Sequence, residues 1–247
     1  MKLKIITYLF VFFIITSCKK ENALDCFKSN GPEKTETRIL ETFTHIKTFD
    51  KIDVTIIKGS DYKVEVTAGS HILSNIKTTV SYGTLTIQNK NKCNFVRGYK
   101  KHISITVTLP YLNIVENLGV GTVYFDENFN QDTLKVHAEN SGDTYIKGNY
   151  YRISTSSHGD GNIYVSGSCN TLYVYMFGTN FFKGEDLTIT NYAFVENISI
   201  GSAYIKAPNN GIFECNIHKD GNIYYTGNPS FVDDFSDGKA KGKLIKN

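Results

Sequence analysis

The sequence predicts an all-β solenoid with coils of about 20 residues, and three observations carry that expectation. The first is composition: 20 Gly, only 4 Pro, no Trp, 16 Tyr and 16 Phe among 247 residues, with Thr, Ile, Val and Asn abundant, is the usage of strands and turns. The second is that no amphipathic helical stretch of ordinary length follows the N-terminal apolar run, which argues against Rossmann, TIM-barrel and helical-bundle enzymes. The third is a recurring pentapeptide of Gly, two variable residues, an aromatic and an apolar residue. It occurs at Gly121/Tyr124, Gly142/Tyr145, Gly161/Tyr164, Gly178/Phe181, Gly201/Tyr204 and Gly221/Tyr224, in steps of 21, 19, 17, 23 and 20.

The elements follow in chain order. Residues 1–4 form a short basic segment and residues 5–16 an apolar run, too short to span a bilayer as a helix but suited to a signal-peptide core. The run ends Ile15-Thr16-Ser17-Cys18 and gives way to Lys19-Lys20-Glu21, which resembles the bacterial lipobox. That resemblance implies lipidation of Cys18: its thiol takes a diacylglycerol, cleavage occurs just before it, and the new amino group is acylated. Two or three acyl chains anchor a protein stably where one does not. The expected division is a lipoprotein signal peptide at 1–17, a lipid-anchored tether at 18–36 and one solenoid domain at 37–247. The expected location is the bacterial outer membrane, on either its periplasmic or its surface face.

Net charge is +3, and Lys2 and Lys4 leave with the signal peptide, so the mature chain is nearly neutral. That argues against an electrostatic nucleic-acid binder, which needs a basic face. Export implies a disulfide-permissive compartment. Cys26 and Cys93 lie in polar, irregular stretches, whereas Cys215 lies in the alternating run Phe213-Glu214-Cys215-Asn216-Ile217. The expectation is a Cys26–Cys93 bridge tying the N-terminal segment to the first sheet, with Cys215 a buried thiol; four reduced cysteines, Cys169 among them, are the alternative.

From residue 37 onward, period-two alternation marks half-buried strands around Ile52, Val54 and Ile56; Val64 and Val66; Ile76, Thr78 and Val80; Leu85 and Ile87; and Ile103, Ile105, Val107 and Leu109. Gly59, Gly69 and Gly83 mark turns, and residues 69–75 have room for one helical turn. In the second half, a strand precedes each motif glycine: Leu134, Val136 and Ala138; Ile153, Thr155 and Ser157; Ala193, Val195 and Asn197; Phe213, Cys215 and Ile217. Each repeat thus holds a strand, a Gly-marked bend, a second strand and a return turn. One coil cannot bury its apolar face alone, but stacked coils can. Parallel stacking sets equivalent residues about 4.8 Å apart, which would align the motif aromatics as a ladder. The uneven steps suggest loops of differing length at the return turn. An antiparallel sandwich also gives short, regularly spaced strands, but it does not demand one residue type at one position of every repeat.

With the lipobox and the glycine-aromatic repeat in view, the chain resembles the bacterial family of putative auto-transporter adhesins with a head GIN domain, over about residues 49–227. The resemblance rests on Phe49-Asp50-Lys51-Ile52, on Tyr82-Gly83-Thr84-Leu85-Thr86-Ile87, on the strand from Ile103 to Pro110, and on the closing Gly221-Asn-Ile-Tyr224-Tyr225-Thr-Gly227-Asn-Pro229. It implies a right-handed β-helix-like domain on an exported, often lipid-anchored protein. Gly119-Val-Gly121 keeps the family's paired corner glycines, whereas Phe177-Gly178-Thr179 and Ile200-Gly201-Ser202 keep one.

The repeat also carries polar residues at recurring positions. Asp143, Asp160 and Asp220 are its recurrent carboxylates, but Asp160 and Asp220 stand three coils apart, about 14 Å at the usual strand spacing, and cannot share an ion. His158 and His218 are separated in the same way, so they read as repeated structure and not as metal ligands. No nucleophile elbow, phosphate-binding glycine loop or zinc-protease helix motif occurs. The basic stretches at 97–101 and 239–246 read as solvated loop and tail. Tyr150-Tyr151, Tyr173 to Tyr175 and Phe181-Phe182 include aromatics that alternate to the outside of a wall.

The expected function is a non-catalytic cell-envelope lipoprotein, without cofactor or metal, presenting a solenoid surface for adhesion or ligand binding. Its expected partners are the membrane, through the anchor, and a glycan or a surface protein. The alternatives are a carbohydrate-active enzyme resembling pectate lyases or polygalacturonases, and a periplasmic scaffold.

Overall fold

The computed structural model describes residues 29–92 and 102–247. The expected signal peptide, the lipidation site Cys18 and the Cys26–Cys93 bridge lie outside the described residues. Strand accounts for 59% of the described residues, in a β-solenoid of about 7 turns, so sheet builds the core. Among the described residues there is one 3-10 turn, Leu73–Asn75, where the sequence left room for a helical turn.

Six strands build the start of the fold: β1 (Glu33–Ile39), β2 (His45–Thr48), β3 (Asp53–Lys58), β4 (Lys63–Gly69), β5 (Ile76–Ser81) and β6 (Thr84–Asn89). They are followed by β7 (Ser104–Leu109), β8 (Ile114–Asn117), β9 (Val123–Phe125) and β10 (Gln131–Ala138). Two long strands come next, β11 (Thr144–Ser157) and β12 (Ile163–Gly178), then β13 (Phe182–Gly184), β14 (Leu187–Ser199) and β15 (Ala203–Lys206). The chain closes with β16 (Ile212–Ile217), β17 (Ile223–Thr226), β18 (Phe231–Asp234) and β19 (Leu244–Lys246).

From β8 onward the coils stack in chain order and form two walls of parallel strands. The first wall runs β8, β10, the end of β11, the end of β12, β14, β16 and β18. The second runs β9, the start of β11, the start of β12, β13, β15, β17 and β19. Alternation decides what each wall buries. Leu134, Ile153, Leu172, Ala193 and Phe213 share one in-register row of the first wall, and Val123, Thr144, Ile163, Phe182, Ala203 and Ile223 one row of the second; all are buried. Each large apolar side chain in these rows stabilises the stack by about 1.5–3 kcal/mol.

The two corners of each coil use glycine for different reasons. Between first and second wall, a Cβ on Gly142 would collide with the Gly121 carbonyl oxygen, and one on Gly161 with that of Gly142, so coils approach more closely here than any side chain permits. At the return corner Gly148 and Gly167 bend β11 and β12 with φ of 138° and 104°, a region that L side chains avoid. The buried corner interior is polar: Asn117 Nδ2 donates to the carbonyls of Gly121 (3.1 Å) and Gly142 (3.2 Å), and Asn197 Nδ2 to those of Gly201 (3.1 Å) and Gly221 (3.0 Å). These bonds satisfy carbonyls that no strand pairing reaches.

Three expectations need correction. The fourth motif copy is displaced: Gly178 aligns with Ser199, and Lys183, not Phe181, stands in register with Tyr164 and Tyr204. The corner place falls to Asn180, whose buried side chain accepts from Ser157 Oγ (2.7 Å) and donates to the Gly159 carbonyl (2.9 Å). With Lys183 in the row, the steps become 21, 19, 19, 21 and 20, so the coils are nearly equal and no return loop of variable length is needed. Second, the tether does not run to residue 36. β1 pairs antiparallel with β4 from Glu33↔Gly69 onward, through backbone bonds that its exposed, charged side chains do not announce.

Third, the coils are not all stacked in chain order. β2 lies between β6 and β8, with Ile46 flanked by Leu85 and Val115. β3 lies between β7 and β9, with Val54 flanked by Ile105 and Val123. The earliest coil is therefore clamped inside two later ones. Antiparallel strands seal this end: β5 on β6, β4 on β7, and β1 on β4. Alternation specifies which side chains face inward, but it does not specify which strand is the neighbour.

Candidate functional site

The repeat's polar residues serve the stack. Asp143 Oδ1 accepts from the Asn162 backbone N–H (2.8 Å), Asp160 Oδ1 from Thr179 Oγ1 (2.5 Å), and Asp220 from Lys241 Nζ (3.4 Å). The same device recurs where Asn162 Oδ1 accepts from Phe181 N–H (2.9 Å) and Asn222 Oδ1 from Lys243 N–H (2.9 Å). Each corner oxygen thus satisfies a donor of the next coil. The structure does not bring Asp143, Asp160 and Asp220 together, and no group of three or more His, Cys, Asp or Glu among the described residues is placed to hold a metal.

The histidines are likewise separate. His158 stacks on Phe177 with centroids 4.3 Å apart and also meets the His137 ring at 5.1 Å. Burial, aided by His137, pushes its pKa below that of an ordinary imidazole. His218 Nε2 lies 3.1 Å from Glu196 Oε1. A cavity lined by Thr188, Ile189, Thr190, Lys206, Ala207 and Asn209 carries one titratable group, Lys206, and no carboxylate.

What remains on the outside of the walls is aromatic, and the two walls differ. On the second wall Tyr124, Tyr145 and Tyr164 form a ladder, with rings 5.1 Å and then 4.4 Å apart and tilted by only 12° and 4°. Lys183 interrupts it, its Nζ 3.4 Å from the centroid of Tyr204, which in turn stacks on Tyr224 at 5.1 Å. Near-parallel rings cover one another's faces, so this ladder offers solvent mainly ring edges and hydroxyls. Burial, with Tyr164 and Asp143 beside it, raises the Tyr145 phenol above its usual range.

On the first wall Tyr173 and Tyr175 of β12 meet Tyr192 and Phe194 of β14, all half-buried. Here the rings are inclined: Tyr173 to Tyr192 at 48° and 5.5 Å, Tyr175 to Phe194 at 57° and 5.8 Å. Rings inclined in this way cover less of one another's faces than the near-parallel rings of the second wall do. The Arg152 guanidinium lies over Tyr173 at 5.6 Å, and the Tyr192 hydroxyl donates to Glu214 Oε2. Burial, then Glu214, raises the Tyr192 phenol. Along the solenoid axis the row through Tyr192 continues into exposed Ile212 and Phe231.

Of the aromatics singled out in the sequence, Tyr173 and Tyr175 belong to this patch, Tyr150 and Phe182 are core, and Tyr151 and Phe181 are exposed elsewhere. Tyr192, Phe194, Arg152 and Glu214 were missed. Their signal was a step of 19 to 22 residues from one coil to the next, from Arg152 to Tyr173, on to Tyr192 and Phe194, and on to Glu214, legible only once the coil register is known.

Comparison with known proteins fits this architecture. A crystal structure of a putative adhesin from Bacteroides fragilis shares 18% identity over 87% of this chain and 97% of that one, with a TM-score of 0.74. A putative adhesin from Parabacteroides merdae gives 17%, 89%, 98% and 0.64 in the same order, and a putative lipid binding protein from Parabacteroides distasonis gives 19%, 87%, 98% and 0.63. At these identities the likeness shows the fold. No curated protein matches the chain. Residues 42–229 match the family described as putative auto-transporter adhesin, head GIN domain, and the chain belongs to that family.

Proposed function

We propose that this protein is a non-catalytic, lipid-anchored protein of the bacterial outer membrane that adheres through its first wall. The observation that carries the reading is the half-buried patch of inclined rings, Tyr173, Tyr175, Tyr192 and Phe194, on a rigid parallel sheet. Rigid aromatics bind at low entropic cost because few rotamers are lost on contact. The adhesin family and the adhesin-named structural neighbours support the reading, and the Ile15-Thr16-Ser17-Cys18 lipobox supports the anchor. Many copies held on one membrane convert a weak patch into firm attachment by avidity.

The test is attachment of cells carrying the full chain, or of beads coated with it, to surfaces bearing matrix proteins or glycans. Replacing Tyr175 and Phe194 by Ser should reduce attachment, while Tyr145→Ser on the second wall should leave it unchanged. Attachment indifferent to the first-wall substitutions overturns the reading. Mass spectrometry of the mature N-terminal peptide tests the anchor, and a peptide starting downstream of an unmodified Cys18 overturns it. Protease shaving of intact cells reports whether the domain faces outward, as adhesion requires.

A further inference from the structure

We infer that the first-wall patch takes a neutral, hydroxyl-rich glycan chain lying along the solenoid axis. This rests on the reading of that wall as the adhesive surface, and it names the ligand class. The rows that run along the axis carry both halves of the chemistry. One row reads Ser154, Tyr173, Phe194, Glu214, and its neighbour Ser156, Tyr175, Glu196, Asn216. In each, a ring is followed within one or two coils by a carboxylate.

A pyranose has an apolar face of C–H groups and a rim of hydroxyls. The face packs on an aromatic ring, and the rim needs acceptors beside that ring. Coil spacing of about 4.8 Å is close to the length of one sugar unit, so an extended chain along the axis meets a new side chain at nearly every sugar. Glu214 accepts one bond from Tyr192 and keeps further lone pairs for ligand hydroxyls, and Arg152, lying over Tyr173, supplies donors. On the same face Glu196, Glu214 and Asp233 outnumber the cations Lys135 and Arg152, which disfavours an acidic polymer such as a polyuronide. The stacked second-wall ladder provides an internal control, since it has as many tyrosines but covered ring faces.

The test is isothermal titration calorimetry of the full chain with cellohexaose, laminarihexaose, mannohexaose and hexagalacturonate. At least one neutral hexaose should bind, and more tightly than hexagalacturonate. The Tyr175→Ala/Phe194→Ala double variant should weaken it by about tenfold or more, and Glu214→Gln by several-fold, with Tyr145→Ala unchanged. Thermal melts of each variant establish that the fold is intact. Absence of binding to all three neutral hexaoses overturns the inference, as does tighter binding of hexagalacturonate or an equal loss in Tyr145→Ala. If no neutral hexaose binds while the first-wall variants still abolish bead attachment, the ligand class is wrong and the adhesive reading stands. If attachment ignores those variants, the adhesive reading fails instead.

Discussion

Cys169 and Cys215 face the core from the first wall, and burial pushes both thiols up to about 12, Cys215 with a further contribution from Asp234. At pH 8.5 an ordinary thiol is about half ionised, but these two stay protonated and shielded. Iodoacetamide at that pH should therefore alkylate neither in the native protein and both in guanidinium, read by peptide mass mapping. Native alkylation of either overturns its placement in the core. The buried Cys215 was legible because it stands in an alternating run. Lys183 was not legible as a ladder residue, because Gly178 and Phe181 mimic the motif two positions too early. Only the hydrogen bonding of Asn180 inside the corner reveals which residue turns the chain.

The coil owes its geometry to its corners. In Gly161→Ala the new methyl would meet the Gly142 carbonyl, which is backbone and cannot rotate aside, so two coils must separate locally. The expected cost is about 1–3 kcal/mol, the usual range for overpacking, seen as a lower midpoint in urea unfolding. An unchanged midpoint would show that the corner has slack. Gly83→Ala is not an equivalent control despite its open surroundings, because its φ of 71° strains any side chain. Elements of this kind were readable from sequence, since glycine spacing and period-two alternation are local signals. The aromatic patch was not. Tyr173 and Tyr192 are 19 residues apart and become neighbours only through a register that slips at the irregularity between Cys169 and Thr171.

Over the whole molecule, the order of strands in space departs from their order in the chain only at the amino end. Removing residues 230–247 deletes a terminal coil with a single stacked interface, and the shortened protein should still unfold cooperatively at a lower temperature. Starting the chain at residue 59 deletes β1, which covers β4, together with β2 and β3, which leaves both the β6/β7 coil and the β8/β9 coil without their shared neighbour. That protein should lose cooperative melting by circular dichroism. The opposite ranking of the two truncations would show that the interleaved coil is dispensable. The same clamp governs how the molecule bears load. A simple solenoid pulled by its end unwinds like thread, one coil at a time and at low force. Here a pull on the amino end peels β1 from its single partner, then reaches β2 and β3, each gripped on both sides, so the bonds to two flanking strands must shear together. The amino end therefore acts as a mechanical stop, with the rest of the stack held behind it.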